Sequence, residues 1–184
     1  MILLIVKVDL ILSGLLLLWM VASKVLDTEA KPEAFVCNRA ARRALNIVAE
    51  LESSVCTDSM TISSAILLPC TGFNVATWEE KSEQEKRGDI VASLKLLSEN
   101  IRSLRNSTQP GCGTILLQRL DNNIRNYLFI ITNLQLNGSV LPPSLSCVPQ
   151  STQSLRRVLQ SYNQLISGKL ESFILTLEDR CASQ

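Results

Sequence analysis

Six cysteines carry most of the chemistry open to this 184-residue sequence: Cys37, Cys56, Cys70, Cys112, Cys147 and Cys181. No two stand as Cys-x-x-Cys and the sequence contains no histidine, so a zinc site would have to gather thiolates from distant segments. An even number of cysteines behind an apolar leader points instead to disulfides, whose connectivity the spacing leaves open. Without histidine, the commonest general base and the usual partner of a nucleophile are missing. Carboxylates do gather at Glu79, Glu80, Glu83 and Glu85. At the start of a helical stretch they complement the helix dipole more readily than they form a catalytic pair. Gly111-Cys112-Gly113 lacks the context of a phosphate-binding loop. The reading is a non-enzyme with no metal and no cofactor. Two sequons, Asn106-Ser107-Thr108 and Asn137-Gly138-Ser139, are acceptors for N-glycans on a secretory route.

Charge and the first residues bound the setting. Lys plus Arg number 18 against 17 Asp plus Glu, which argues against nucleic acid or an anionic membrane surface as a partner. Residues 1–23, MILLIVKVDLILSGLLLLWMVAS, read as a signal peptide: Lys7 precedes an apolar run from Leu10 to Val21, and Val21 and Ser23 are small. That run falls short of the roughly 20 residues that cross a bilayer. Residues 24–184 are then one extracellular domain with no membrane insertion, long enough to bury a real core.

The elements that must hold these residues follow from apolar spacing. One stripe runs Cys37, Ala41, Ala44, Val48, Leu51, Val55; a second runs Ile90, Leu94, Leu97, Ile101, Leu104 on a helix starting near Trp78. A third runs Leu117, Leu120, Ile124, Tyr127, Ile131, Leu134, and a fourth Leu155, Val158, Tyr162, Leu165 or Ile166, Phe173, Leu177. Alternating steps of three and four mark amphipathic helices, and no strand alternation stands out, so the chain reads as all-α. The connection NSTQPGC between the second and third is short, while the other two are long. A short link forces antiparallel neighbours and long links allow overhand crossovers. The pattern predicts a four-helix bundle of up-up-down-down topology; up-down-up-down with decorated loops is the alternative. Both sequons fall between stripes.

Residues 67–80, LLPCTGFNVATWEE, stand in the first long connection. Pro69 and Gly72 stop any regular element, yet two large aromatics follow. A docked loop is expected, with Trp78 filling the core and Phe73 either doing the same or anchoring a partner.

Together, LLP with Phe73 and Trp78, then Lys86, Asp89-Ile90, Leu96-Leu97 and Glu99, then SYNQLISGKL ahead of Cys181, resemble the erythropoietin/thrombopoietin family of four-helix-bundle cytokines over residues 35–181. The Phe73–Trp78 spacing and Cys112 resemble its thrombopoietin branch, while NSTQP is similar to the erythropoietin branch. The resemblance implies disulfides Cys37–Cys181 and Cys56–Cys112. Cys70 and Cys147 are additional, one in each crossover, and a clip between them is expected where overhand loops pass close, with intermolecular pairing as the alternative. It also implies a monomeric secreted hormone that dimerises a class I cytokine receptor, two receptor chains per ligand, and drives megakaryocyte or thrombocyte lineages through Janus kinase–STAT signalling. The stronger receptor face maps to Pro69, Phe73, Lys86 and Lys169. The weaker maps to Arg125, with Arg39, Arg42 and Arg43 as a basic patch on the first helix. Lys169 is expected on an exposed face, so that Lys169→Glu weakens receptor binding without unfolding. Ser167, Glu171 and Glu79 stand where the family is basic, which makes this face less basic. The sequence ends three residues after Cys181, which reads as a short form without a glycan-rich tail. An erythropoietin-like role is the nearest alternative. A secreted helical carrier of lipid is another, although evenly filled leucine seams suggest a solid core.

Overall fold

A computed structural model describes residues 32–53, 61–108, 110–136, 147–178 and 181. Pro32–Gln184 is one compact unit. Residues 1–23, read as a signal peptide, and Cys56 and Asn137 lie outside the described residues.

The first stripe is not one helix. It is α1 (Pro32–Cys37), α2 (Arg39–Leu45) and α3 (Val48–Glu52). Two asparagines cut it, because their side chains satisfy the backbone locally and so compete with helix continuation. Asn38 Oδ1 accepts the Ala41 N–H at 3.0 Å, and Asn46 Oδ1 accepts the Val48 N–H at 3.1 Å. The expected all-α chain also gains a small sheet: β1 (Thr61–Leu68) pairs antiparallel with β2 (Gln150–Ser154). Ile66 faces Thr152, Leu67 faces Ser151 and Leu68 faces Gln150 in its register. Ile66 and Leu68 point inward and Leu67 outward, the period of two that a strand requires. The other edge of β1 is covered by a side chain: Asn100 Oδ1 accepts the Leu67 N–H at 3.4 Å while its Nδ2 donates to Leu67 O at 3.3 Å. An amide that mimics a strand in this way blunts an exposed edge.

The second stripe begins with a short α4 (Val75–Glu79) and continues as α5 (Glu83–Ser107). Between them Ser82 and Glu85 form a capping box, each satisfying the other's backbone N–H. Hydrogen bonds from the Ser82 backbone and hydroxyl hold the Glu85 carboxyl below its usual range. Asn106 is exposed in the last turn of α5, not between elements as its sequon suggested. After a short turn comes α6 (Cys112–Asn133), which therefore runs antiparallel to α5 along most of its length. Arg87 of α5 donates Nε to Ile131 O at 2.9 Å and a terminal nitrogen to Thr132 O, covering carbonyls that the end of α6 leaves open. Burial lowers the pKa of this guanidinium. The fourth stripe is α7 (Leu155–Gln164), a π-helical turn (Leu165–Leu170) and α8 (Glu171–Glu178).

The seams meet in one core. Leu94, Leu97, Ile101, Leu117, Leu120, Ile124, Ile131, Val158, Leu165 and Phe173 are fully buried. A polar layer crosses it. Tyr162 OH donates to Asn123 Oδ1, and Asn123 Nδ2 donates to Leu45 O at 2.8 Å, so α7, α6 and α2 share one network. Burial pushes the Tyr162 and Tyr127 hydroxyls well above their ordinary pKa, so both stay neutral donors. Disulfides join Cys37 to Cys181, with Cα atoms 5.6 Å apart, and Cys70 to Cys147 at 6.2 Å. Cys112 is also disulfide-bonded. The described residues are thus mostly helical, with one two-stranded sheet joining the two long connections. Among them no helix is long and apolar enough to cross a membrane.

Candidate functional site

The first long connection and the last helix are bolted together by one carboxylate. Lys169 Nζ donates to Asp89 Oδ1 and Oδ2 at 3.0 and 3.1 Å and to Cys70 O at 2.7 Å. Lys81 Nζ reaches Asp89 Oδ2 at 3.0 Å from the turn between α4 and α5. Both ammonium groups also lie over the indole of Trp78, 5.5 and 5.7 Å from its ring centre, where cation–π attraction adds to the pairing.

This overturns the expected exposure of Lys169, which is only 5% accessible. Leu170 fills the buried position that the helical period calls for between Ile166 and Phe173, and the π-helical turn buries the neighbouring Lys169 as well. Its apolar stem packs inward and its charge is compensated by Asp89. The turn that carries it is π-helical, a form that recurs at functional sites.

Around this bolt the loop residues settle in order. Pro69 is buried, Thr71 Oγ1 donates to Gln164 Oε1 at 2.8 Å, and the Cys70–Cys147 disulfide draws in the second connection. Trp78 is buried as expected of a core plug. Phe73 packs edge-on against it at 5.9 Å yet keeps 38% of its surface exposed. Phe73 rests on Gly168: a Cβ there would lie 3.7 Å from Phe73 Cβ and Cγ, an ordinary contact. Gly168→Ala is therefore expected to leave the loop in place, whereas Gly168→Leu should displace Phe73. Limited proteolysis of the loop checks this; equal cleavage rates in the two variants would count against it. Beside the bolt a cleft of about 890 Å³ opens between the two connections and α7. Lys86 is buried on α5 and so is not an open receptor contact; Pro69 and Lys169 line that cleft, whereas Lys86 and Phe73 do not.

The arginines assigned to a weaker face separate. Arg39 and Arg43 are exposed on α2, and Arg125 is exposed on α6. Arg42 is 4% accessible and so is not an open receptor contact. It donates to Val36 O and Phe35 O at the end of α1 and pairs with Glu178 and Glu171 of α8. Carbonyls at a helix end and two carboxylates draw a guanidinium inward. Arg39 and Arg43 border a recess of about 190 Å³ shared with Ser167 and Glu171 of the last helix. The side of α6 that meets the first segment carries Arg119, paired with Glu50 at 2.6 Å, together with Asn123 and Tyr127. Arg125 lies on another stripe with Ile115 and Phe129, which are 62% and 53% exposed. Those two were missed in the sequence, although both fall off the buried stripe of their helix. Asp89 and Lys81 were missed as well, since nothing local marks a carboxylate as the partner of a lysine 80 residues away.

A family model described as "Erythropoietin/thrombopoietin" matches residues 35–184. The chain belongs to that family. Thrombopoietin of Rattus norvegicus is 31% identical over 68% of this chain and 37% of the relative's own length. Thrombopoietin of Mus musculus is 30% identical over 91% of this chain and 46% of its own length. Erythropoietin of Takifugu rubripes is 28% identical over 69% of this chain and 70% of its own length. The chain thus spans under half the length of these thrombopoietins, and both branches of the erythropoietin/thrombopoietin family match at similar identity. Membership places it among cytokines rather than enzymes.

Proposed function

We propose that the chain is a secreted cytokine that binds a class I cytokine receptor and brings two receptor chains together through two faces. The carrying observation is the union of the first crossover and the last helix into one rigid surface by the Lys169–Asp89–Lys81 cluster. That surface, with Phe73 as its exposed anchor and Pro69 and Lys169 as its frame, serves as the stronger face. Arg125, with Ile115 and Phe129 on the same stripe of α6, serves as the weaker, and Arg39 and Arg43 extend it. The reading includes the signal peptide at 1–23, the mature domain at 24–184, the up-up-down-down order of the bundle and N-glycans at Asn106 and Asn137. The Phe73–Trp78 spacing and Cys112 favour thrombopoietin-type signalling through Janus kinases and STATs in megakaryocyte or thrombocyte lineages. The matching fish erythropoietin supports the erythropoietin-like role as a second reading.

The test uses cells carrying either the thrombopoietin or the erythropoietin receptor, both from the species that supplies the protein. Proliferation through the first receptor alone is expected; response through the second transfers the assignment to the other branch. Silence on both from correctly disulfide-bonded protein overturns the proposal. Arg125→Glu is expected to bind one receptor chain with unchanged affinity but to abolish signalling. Loss of the first binding event in that variant would show that the faces are wrongly assigned.

A further inference from the structure

The cleft beside the bolt carries more cations than carboxylates. Its ionisable lining is Lys81, Lys169, Arg157 and Asp89, three cations against one carboxylate. Asp89 is already engaged by both lysines, and Arg157 makes no ion pair among the described residues. Two residues of the lining each hold a buried polar atom with no hydrogen-bond partner among the described residues: the indole Nε1 of Trp78 and the hydroxyl of Ser161. These residues are 3% and 5% accessible, so neither group is satisfied by open solvent as a surface residue would be. An indole N–H, an ammonium and a guanidinium only donate. What complements this lining is a group that accepts hydrogen bonds and carries negative charge. The cleft volume of about 890 Å³ lies in the range of sites for small ligands.

We propose that the cleft is an oxyanion site that takes a carboxylate or sulfate group between the first crossover and α7. Lys81 and Arg157 supply its charge, and Trp78 Nε1 and Ser161 Oγ supply directed hydrogen bonds. The same chemistry can arrive as a free anion or as an aspartate or glutamate side chain of the receptor; only the second source rests on the proposed function. Occupancy neutralises the excess positive charge beside the bolt, so it couples to how firmly the crossover is held.

Trp78 reports on this directly, because the only other tryptophan is Trp19 in the leader. The test titrates the Trp19→Phe protein with sodium sulfate at constant ionic strength, with sodium chloride as control, and follows tryptophan emission. A saturable change with sulfate, weakened about tenfold or more in Lys81→Gln and in Arg157→Gln, supports the site with a free anion as occupant. A flat sulfate response, combined with receptor-ectodomain binding that alters Trp78 emission and weakens by the same factor in both variants, supports it with a receptor carboxylate as occupant. No sulfate response together with receptor binding unchanged in both variants overturns the inference while the cytokine reading stands. Absence of any receptor binding by the unsubstituted protein counts against the cytokine reading alone, and the sulfate titration then decides the site by itself. Far-ultraviolet circular dichroism and thermal melting of both variants establish that they are folded.

Discussion

Asp89→Ala is expected to destabilise the domain by about 3–5 kcal/mol, because removing one partner of a buried ion pair strands the other. The stranded group here is Lys169, whose side chain is 6% accessible, with Lys81 close by on the same carboxylate. Two ammonium groups would then share one indole face with no counter-charge. Asp89→Asn should cost less, since the amide oxygen still accepts a hydrogen bond. Lys169→Met in the Asp89→Ala background should recover part of the loss, because an apolar pair of similar volume avoids the unpaired charge. Urea unfolding of the four proteins measures this, and a loss below about 1 kcal/mol for Asp89→Ala would mean that solvent reaches the cluster. The same geometry revises the expectation for Lys169→Glu. A second carboxylate against Asp89 in a buried position should reduce stability as well as receptor binding, so the variant does not isolate the receptor face.

Removing the Cys37–Cys181 disulfide by a double serine substitution should cost about 3–5 kcal/mol. The bridge spans 144 residues, and the chain-entropy account gives about 5 kcal/mol for a loop of that size as an upper figure. Part of the loss should be absorbed by Arg42, which holds the same two ends through Val36 O and Glu178. Most of the effect lies in the unfolded chain, which becomes more extended without the link. The slope of unfolding free energy against denaturant should therefore rise while the folded spectrum is unchanged. A fall in stability under about 1 kcal/mol would assign the closure of the ends to Arg42 instead. In that event Arg42→Met in the reduced background should unfold the domain.

The core was legible because burial imposes a period. Every residue of the second and third stripes named from spacing is buried, from Ile90 to Leu104 and from Leu117 to Leu134. Trp78 and the docking of the loop followed from the same logic, since aromatic surface is costly to leave in water. The breaks at Asn38 and Asn46 were harder, because an apolar stripe runs through them unchanged and only side-chain competition interrupts the helix. The two strands were hidden by their surroundings: only Ile66 to Leu68 of β1 alternates in burial, and its partner lies 82 positions away at Leu68↔Gln150 and 86 at Ile66↔Thr152. For the site, the sequence named the positions that frame it but misjudged how Lys169 and Arg42 sit. Periodicity tells which face of a helix turns inward, and it does not tell what charge waits across the gap. A long basic side chain at a buried position is therefore read as exposed unless a carboxylate partner is sought, and Asp89, Glu171 and Glu178 were those partners.

The Cys37–Cys181 link decides what a protease can release from the domain. Every peptide bond between those two cysteines lies inside a covalent ring. A single cut in either long connection opens the ring without releasing a fragment, so the nicked protein stays one molecule of unchanged composition apart from the added water. Its two pieces part only after reduction, and clipping at Phe73 would free the loop from Trp78 while leaving the mass of the molecule otherwise intact.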